Sequence, residues 1–240
     1  MTERLPGLSF FFPARDEELN VAPTIARALE VLPNYADHVE VTVIDDGSSD
    51  ATGEIADALA RTDPRVAVVH NRPGRGYGGA VRAGLESSTQ PFIFFTDGDQ
   101  QFDVADFDRL AGALAPDVDV VLGYRLTLEY GWWHIVVSRV YNGVIRMLFA
   151  GDWRDVDCAF KLFRADVFRR VPLANVRSNG AFFSPELLIT LRANGIVTRE
   201  VGIPHHARMH HEPKGTPPKV IVRAIRDLLL LRLSLWLRRR

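Results

Sequence analysis

The chain has 240 residues, 47% of them hydrophobic and 25% charged, and its formal net charge of −1 gives no global reason to expect nucleic acid as a partner. Its single cysteine, Cys158, excludes an internal disulfide and fits a reducing compartment. No apolar run resembles a signal peptide or approaches the roughly 20 residues of a membrane-spanning helix, so a soluble or peripheral protein is expected.

The first half of the chain alternates short apolar runs with longer segments of helical periodicity. The runs are rich in β-branched and aromatic residues, which predicts buried strands over residues 8–12, 39–44, 66–70, 92–95 and 118–122. The segments between them predict helices over residues 18–32, 51–60, 78–87 and 104–114. Asp50 is the expected N-cap of the second helix. This alternation predicts an α/β fold whose mostly parallel central sheet is covered by helices on both faces.

The pattern changes after about residue 124. The sequence predicts a long apolar helix over residues 132–149, a strand over 155–163, a helix over 182–194 and a strand over 197–203. A polar loop rich in histidine and proline follows, and the chain closes with an apolar segment interrupted by arginine. We expect one domain over residues 1–218 and an amphipathic, membrane-associating helix over residues 219–240.

Acidic residues follow three of the predicted strands, at the sheet edge where ligands of open α/β sheets bind. The first strand leads into residues 13–17, the second into Asp45 and Asp46, and the fourth into residues 97–101. Clustered carboxylates repel one another unless a cation joins them. Asp97, Asp99 and Gln101 offer hard oxygen ligands, which predicts a Mg²⁺ or Mn²⁺ site that also binds the phosphates of a substrate.

A glycine-rich segment offers a competing interpretation. Gly74, Gly76 and Gly79 satisfy the dinucleotide-binding pattern, which alone would predict an NAD-dependent dehydrogenase. Two strand–helix units precede the glycines, and Pro73 loosens the turn that this pattern requires, so we rank a dehydrogenase second. A catalytically silent nucleotide- or carbohydrate-binding protein is the third alternative.

The ordered series of motifs resembles the inverting family-2 glycosyltransferases of GT-A fold. It comprises Pro-Ala-x-x-Glu after a strand, Val-Ile-Asp-Asp-Gly-Ser-x-Asp, Gly-Gly-Ala-Val-Arg-Ala-Gly and Asp-x-Asp. Residues 157–163, Asp-Cys-Ala-Phe-Lys-Leu-Phe, are similar to a motif of dolichyl-phosphate glucosyltransferases. The later segments around Glu186, residues 200–204 and Arg208 resemble dolichyl-phosphate mannose synthases. The Asn-Glu usual after the first strand is Asp16-Glu17 here, and the usual Gly-x-Ser-Lys near the end is replaced at residues 212–219.

This resemblance implies a GT-A fold and a role for each matching residue. A metal ion would be held by Asp97, Asp99 and Gln101. The nucleotide sugar, GDP-mannose or UDP-glucose, would be bound by Pro13, Ala14, Arg15, Glu17, Asp45, Asp46, Gly78, Gly79, Asp97 and Gly98, where the glycines let backbone approach the nucleotide. We lean slightly toward GDP-mannose. The catalytic set would be Asp99, Asp157, Arg125 and Arg208.

The acceptor is expected to be a polyprenyl or dolichyl-type lipid phosphate. A phosphate monoester is largely dianionic at neutral pH and attacks without a base, so it needs cations to position it. Its expected ligands are Arg125, Arg139, Arg208 and Lys214. A non-lipid hydroxyl is the alternative acceptor. Four histidines between residues 205 and 211 could suggest zinc, but no cysteine accompanies them.

The two apolar segments, residues 132–149 and 219–240, predict contact with a membrane surface. Trp132 and Trp133 suit a headgroup interface, and Arg238, Arg239 and Arg240 suit anionic lipid. A homodimer interface is the alternative use of either segment. The expected location is cytoplasmic, peripheral at the inner face of the cell membrane.

Overall fold

The computed structural model describes residues 4–127, 132–149, 151–208, 226–228 and 231–232, with side chains of the 132–149 helix described from residue 140 onward. Seven strands lie in these ranges: β1 (Leu8–Ala14), β2 (Val39–Asp45), β3 (Val66–His70), β4 (Phe92–Phe95), β5 (Val120–Arg125), β6 (Lys161–Arg164) and β7 (Thr198–Ile203). The α-helices described there are α1 (Val21–Val31), α2 (Thr52–Thr62), α3 (Tyr77–Ser87), α4 (Phe107–Ala113), α5 (Trp132–Phe149), α6 (Val167–Arg170) and α7 (Phe183–Ala193).

The strands form one sheet in the order β3-β2-β1-β4-β6-β5-β7. β6 runs antiparallel to both of its neighbours, and the other described pairings are parallel. The predicted α/β fold with a mostly parallel sheet is confirmed. Because β6 is reversed, its amino end meets the carboxyl ends of the other strands at one edge.

Two hydrophobic clusters, one on each face, hold the helices against the sheet. Successive side chains of a strand point to opposite faces, so Phe10 and Phe94 stack within the first cluster and Phe11 and Phe95 within the second. Helices α1, α2 and α4 contribute to the first cluster, and α3, α5 and α7 to the second. Full burial of each phenylalanine contributes about 1.5–3 kcal/mol.

Some boundaries differ from those predicted. The strand expected over residues 155–163 begins only at Lys161, because Asp155 and Asp157 lie in the turn before it and face the site described below. Helix α2 begins at Thr52, with Ala51 as its N-cap. Asp50 still supports that end, since its carboxylate accepts from the Thr52 N–H at 3.0 Å. The short helix α6 was not predicted.

The two segments expected to contact a membrane are described in part. The predicted helix over residues 132–149 is confirmed as α5. Residues 226–228 and 231–232 are helical, and Leu228 and Leu231 pack into the second cluster. The rest of the expected C-terminal helix lies outside the described residues. None of the described helices is long and apolar enough to cross a bilayer.

Candidate active site

The carboxyl edge of the sheet gathers the loops that follow β1, β2, β4, β5 and β7, together with the start of β6. Beside Asp97 and helix α1 this edge opens into a cleft of about 400 Å³. The predicted residues that the structure describes with side chains lie in these loops or directly beside them. They fall into a β2 group, a β4 group and a β6 group.

Asp46 ties the glycine-rich loop to the end of β2. Its carboxylate accepts from the backbone N–H of Arg75 at 2.7 Å, the N–H of Gly76 at 2.8 Å and the side-chain amide of Asn71 at 3.0 Å. Its own N–H donates to the Ala14 carbonyl at 2.9 Å, which fixes the end of β2 beside the end of β1. In this structure Asp46 therefore positions the glycine-rich loop beside the ends of β1 and β2.

Asp45 faces the opposite way, toward α2 and β3. It accepts from the Ser48 N–H at 2.9 Å and lies 2.8 Å from Nδ1 of His70, whose Nε2 lies 3.1 Å from Asp57. Although burial acts against it, hydrogen bonding by Ser48 and His70 holds the pKa of Asp45 below its usual range. The hydrogen bond that His70 donates to Asp45 outweighs the opposing effect of burial and raises the pKa of His70.

The glycines pack against protein rather than facing an open cleft. A Cβ on Gly78 would come within 2.6 Å of Phe183 and 2.8 Å of the Gly180 carbonyl, and one on Gly74 within 2.4 Å of the Asp46 carbonyl. A Cβ on Gly79 would meet the Arg75 side chain at 2.4 Å. The small size of Gly78 lets the glycine loop pack on the 179–183 segment. The expectation that Gly78 and Gly79 admit the nucleotide stays a prediction.

Gly98 serves the same purpose between two strands. A Cβ there would lie 2.8 Å from the Phe12 ring and 2.9 Å from the Pro13 carbonyl. The close approach brings the loop after β4 against the end of β1. Arg15 is exposed at that end, beside Asp16, whose backbone has a φ of 55° and whose carboxylate accepts from the Ser49 N–H at 2.7 Å.

Asp97 and Asp99 form the acidic centre of the site. Asp97 Oδ1 is buried and has no hydrogen-bond partner among the described residues. Burial, together with the negative charge of Asp99, raises the pKa of Asp97 to about 7. Burial also raises the pKa of Asp99, against the Gln101 N–H and the positive charge of Arg208. A carboxylate that repels its neighbour and has one buried oxygen without a donor is suited to bind a cation.

Gln101 is placed differently from the two aspartates. Its side-chain amide donates to the His206 carbonyl at 3.2 Å, and its carbonyl accepts from the His206 N–H at 2.9 Å. Gln101 thus connects the loop after β4 to the segment after β7. Within the described ranges no three His, Cys, Asp or Glu side chains converge as a metal cluster. Two carboxylates are nonetheless the number that Mg²⁺ commonly takes from a protein when phosphates supply further ligands.

The third group surrounds the start of β6. Arg125 forms a two-pronged ion pair with Asp155, with Nε–Oδ2 at 2.6 Å and Nη2–Oδ1 at 2.8 Å. The guanidinium group of Arg125, which was expected to bind an acceptor phosphate, is therefore paired with a carboxylate of the same chain. Asp157 lies beside this pair, and burial together with the charge of Asp155 raises its pKa to about 6.

Lys161 is a buried cation that the sequence argument quoted in a motif but did not assign to the site. Its ammonium group donates to the Cys158 carbonyl and lies 5.5 Å from the centre of the Phe95 ring. Burial lowers the pKa of Lys161, while Cys158 and nearby carboxylates, including Asp157, act to raise it. Lysine is rarely buried without a charge partner. Its position inside the apolar run of residues 160–163 could therefore have marked Lys161 from the sequence.

Tyr77 and Asn20 are two further site residues absent from the prediction. Tyr77 opens α3 and its hydroxyl interacts with Asp97 through hydrogen bonding. Asn20 donates to Glu17 at 2.6 Å and accepts from the Gln100 side chain at 3.1 Å. No motif marks either residue, because their position depends on how α1 and α3 pack on the sheet.

The ionisable side chains around Asp97 and the start of β6 do not balance in charge. Five carboxylates and three cationic side chains form this cluster: Glu17, Asp97, Asp99, Asp155, Asp157, Arg125, Lys161 and Arg208. With every group ionised, the formal excess is two negative charges, which is the charge of one divalent cation. The residues present therefore fit a Mg²⁺ or Mn²⁺ ion held by Asp97 and Asp99.

Arg208 lies on the donor side of the cluster. Its guanidinium pairs with Glu17 at the end of β1, and the two side chains are only 11% and 8% exposed. The expectation that Arg208 serves the acceptor phosphate stays a prediction. The side chain of Arg139, together with Lys214, His210 and His211, lies outside the described residues.

His205 is packed rather than free to bind a metal. Its ring makes an edge contact with Phe102 at 5.0 Å between centroids, and the residue is buried. Burial and the nearby charge of Arg125 lower the pKa of His205 to about 4.

Residues 9–171, more than half of the chain, match the sequence family described as glycosyl transferase family 2. The chain is 29% identical over 239 residues to glycosyltransferase AglD of Haloferax volcanii, covering 93% of this chain but 37% of that protein. It is 28% identical over 200 residues to polyprenol monophosphomannose synthase of Mycolicibacterium smegmatis, covering 80% of this chain and 74% of the relative. It is 27% identical over 225 residues to dodecaprenyl-phosphate galacturonate synthase of Rhizobium johnstonii, covering 92% and 65%. The chain thus spans little more than a third of the first relative.

Solved structures with the same fold include glucosyl-3-phosphoglycerate synthase from Mycobacterium tuberculosis. Its complex with Mn²⁺, UDP and glucosyl-3-phosphoglycerate has a TM-score of 0.70 at 19% identity, covering 95% of this chain and 80% of that one. Its complex with Mg²⁺ and UDP has a TM-score of 0.68 at 18% identity, covering 95% and 79%. At this identity the likeness shows the fold alone, and the expected GT-A fold is confirmed. The family match and the packed glycines together reject the dehydrogenase.

Proposed function

Because this chain belongs to glycosyl transferase family 2, we propose that it transfers a hexose from a nucleotide sugar to a polyprenyl-type lipid phosphate, with inversion at the anomeric carbon. The observation that carries the proposal is the charge cluster at the sheet edge, in which buried acids and cations lie side by side. Two relatives whose names specify polyprenol or dodecaprenyl phosphate chemistry support the choice of acceptor.

The donor half of the site is the acidic pair with the loops beside it. Asp97 and Asp99 would hold Mg²⁺ or Mn²⁺ against the donor diphosphate, and the ion would stabilise the charge that develops on the departing nucleoside diphosphate. Asp46 fixes the glycine loop at the pocket wall through three hydrogen bonds. The chain therefore supplies a rigid pocket before the donor arrives.

The acceptor half is the group of neighbouring acids and cations at the start of β6. A phosphate oxygen of the lipid would attack the anomeric carbon as the bond from that carbon to the diphosphate oxygen breaks. Attack opposite the leaving group gives inversion, and a dianionic phosphate has no proton to lose. Lys161 is the buried cation on this side, and Arg125 reaches the same region while paired with Asp155. Together they would position the acceptor charge.

We propose GDP-mannose ahead of UDP-glucose as the donor. The polyprenol monophosphomannose synthase relative supports mannose. No residue of the described pocket distinguishes guanine from uracil by its chemistry. Calorimetric titration with GDP and UDP in the presence of Mn²⁺ decides between them, and tight binding of UDP alone would reverse the order.

We propose that the protein works at a membrane surface, at its cytoplasmic face. Helix α5 exposes Val140 and Met147 beside Arg146, an apolar surface with a cation at its rim. The C-terminal segment adds Leu233, Leu235 and Leu237 before three arginines. Apolar residues flanked by arginine suit a helix lying in the headgroups of anionic lipid.

A hydroxyl acceptor is the second candidate, favoured by one observation. Asp157 has a pKa of about 6, which suits a general base for a hydroxyl nucleophile. A lipid phosphate would not require this base, whereas a sugar or glycerate hydroxyl would.

Asp157→Asn separates the two candidates. The protein is incubated with Mn²⁺, GDP-mannose or UDP-glucose, and either a polyprenyl phosphate or 3-phosphoglycerate, and products are identified by mass spectrometry. We expect transfer to the polyprenyl phosphate only, and we expect the variant to keep at least about a tenth of that rate, since a missing base costs about 10²–10⁴-fold. Efficient transfer to 3-phosphoglycerate, lost in the variant, would establish the hydroxyl acceptor instead.

A further inference from the structure

Arg208 is held beside Glu17, where its charge acts on Asp99, by two sets of contacts. Its guanidinium pairs with Glu17, which also accepts from Asn20 at 2.6 Å. The segment that carries it is fixed to the loop after β4 by the paired hydrogen bonds between His206 and Gln101, at 2.9 and 3.2 Å. Arg208 therefore reaches the donor site from a segment remote in sequence, in the protein without ligands.

The cations of the cluster divide between the two aspartates. Asp99 interacts with the charges of Arg208 and Glu17, whereas Asp97 interacts with those of Lys161 and Arg125. Arg208 Nε is buried and has no hydrogen-bond partner among the described residues. A buried guanidinium with a free N–H has donor capacity for an incoming oxyanion.

We propose that Arg208 occupies the cation position beside Asp99 until a metal ion binds, and then donates to the diphosphate of the donor. A divalent ion at Asp97 and Asp99 repels a guanidinium held close by, so the metal and the present position of Arg208 are in competition. A diphosphate brought in with the metal restores a partner, because guanidinium groups bind phosphate through paired hydrogen bonds. The inference rests on the proposed function only in taking the anion to be a nucleoside diphosphate.

The competition gives Arg208→Ala opposite effects on two ligands. Binding of Mn²⁺ alone, measured by electron paramagnetic resonance of the free ion, should tighten by about threefold or more once the competing charge is gone. Binding of GDP or UDP at saturating Mn²⁺, measured by calorimetry, should weaken by about tenfold or more. Arg170→Ala is the matched control, because Arg170 pairs with Asp119 at the opposite edge of the sheet. It should leave both affinities unchanged.

Each other result overturns part of the proposal. Unchanged or weaker binding of Mn²⁺ alone in Arg208→Ala would show that Arg208 does not compete with the metal. Tighter Mn²⁺ with unchanged nucleotide binding would show that it does not bind the diphosphate. Arg208→Lys keeps the charge but loses the fork, so it should bind Mn²⁺ like the parent and nucleotide more weakly. Arg208→Gln removes the charge but keeps a long side chain, and it replaces the alanine variant if circular dichroism shows that one unfolded. Both measurements omit the acceptor, so failure of the acceptor assignment would leave them unaffected.

Discussion

Asp97 and Asp157 are carboxyl groups whose pKa values, about 7 and about 6, lie near neutrality because the residues are buried among other acids. Such groups are neutral or charged depending on what binds near them. A metal ion at Asp97 requires the carboxylate, so binding must release the proton that Asp97 holds at or below neutral pH. The site therefore couples cation binding to pH.

We predict that affinity for Mn²⁺ increases from pH 6 to pH 8. Below the pKa of about 7 the proton and the metal compete for Asp97, so affinity should fall by up to about tenfold per pH unit, and above it the dependence should level off. Asp99→Asn removes a ligand and the like charge, and should abolish turnover while the fold is kept. Titration of Mn²⁺ across this range tests the pH dependence, and a transfer assay with circular dichroism of Asp99→Asn tests the loss of turnover.

Asp37→Asn is a suitable control for this titration, since Asp37 forms an exposed ion pair with Arg4 away from the site. It should reproduce the parent profile. A flat profile in the parent, or full turnover in excess EDTA, would contradict the assignment of Asp97 and Asp99 to a metal ion.

How far the sequence predicts the site differs from residue to residue. Asp97 and Asp99 could be predicted because they follow an apolar strand, and the carboxyl ends of parallel strands share one edge. The ion pair of Arg125 with Asp155 could not, because it depends on β6 entering the sheet antiparallel beside β5. The pairing of Arg208 with Glu17 joins positions 191 residues apart, and no local pattern encodes such a contact.

At the scale of elements, α3 and α7 meet through glycine. Gly78 lies in the first turn of α3, where its missing side chain lets the 179–183 segment approach. Glu186 of α7 fixes that segment by accepting from the N–H groups of Arg177 at 2.9 Å and Ser178 at 2.8 Å. The glycine loop, held by Asp46 on one side, is therefore held by α7 on the other.

Gly78→Ala should destabilise the fold by about 1–3 kcal/mol. The added methyl would overlap Phe183 and the backbone of residues 179 and 180, and overpacking of this kind outweighs the better helix propensity of alanine, about 1 kcal/mol. Gly112→Ala in α4 is the matched control, because nothing lies within 4 Å of its Cβ position. It should stabilise by about 0.5–1 kcal/mol. Urea unfolding measures both, and equal effects would refute the packing role.

The strands show why element prediction succeeded in one part of the chain and failed in another. Residues 92–95 are continuously apolar because β4 is buried on both faces, and β4 was predicted with its observed ends. Residues 155–160 also contain apolar side chains, but their backbone turns to present Asp155 and Asp157 to the site. Residues 155–160 therefore do not form a strand, although their apolar side chains predicted one.

At the scale of the whole molecule, the proposed lipid acceptor must reach a site at the edge of the sheet. The second cluster includes residues of α5 together with Leu228 and Leu231, so the described parts of the two segments proposed to face a membrane share one side of the sheet. The acids and cations around β6 lie at the edge of that sheet. We propose that a lipid phosphate approaches the acids and cations around β6 from that side of the sheet.

Deleting residues 233–240 should weaken binding to vesicles containing anionic lipid by about tenfold or more, since each arginine near such a surface contributes about 1 kcal/mol. The deletion starts at Leu233 because Leu228 and Leu231 pack against the body of the protein, and their loss would confound membrane binding with folding. Replacing Arg238, Arg239 and Arg240 by glutamate is the companion variant: it keeps chain length and apolar residues and should lose as much binding as the deletion.

Parent binding should weaken as salt rises, because exposed charges are screened. Sedimentation with neutral and anionic vesicles measures each case. If the deletion variant sediments like the parent on anionic vesicles, the C-terminal segment is not the membrane contact, and α5 would remain as the surface to test.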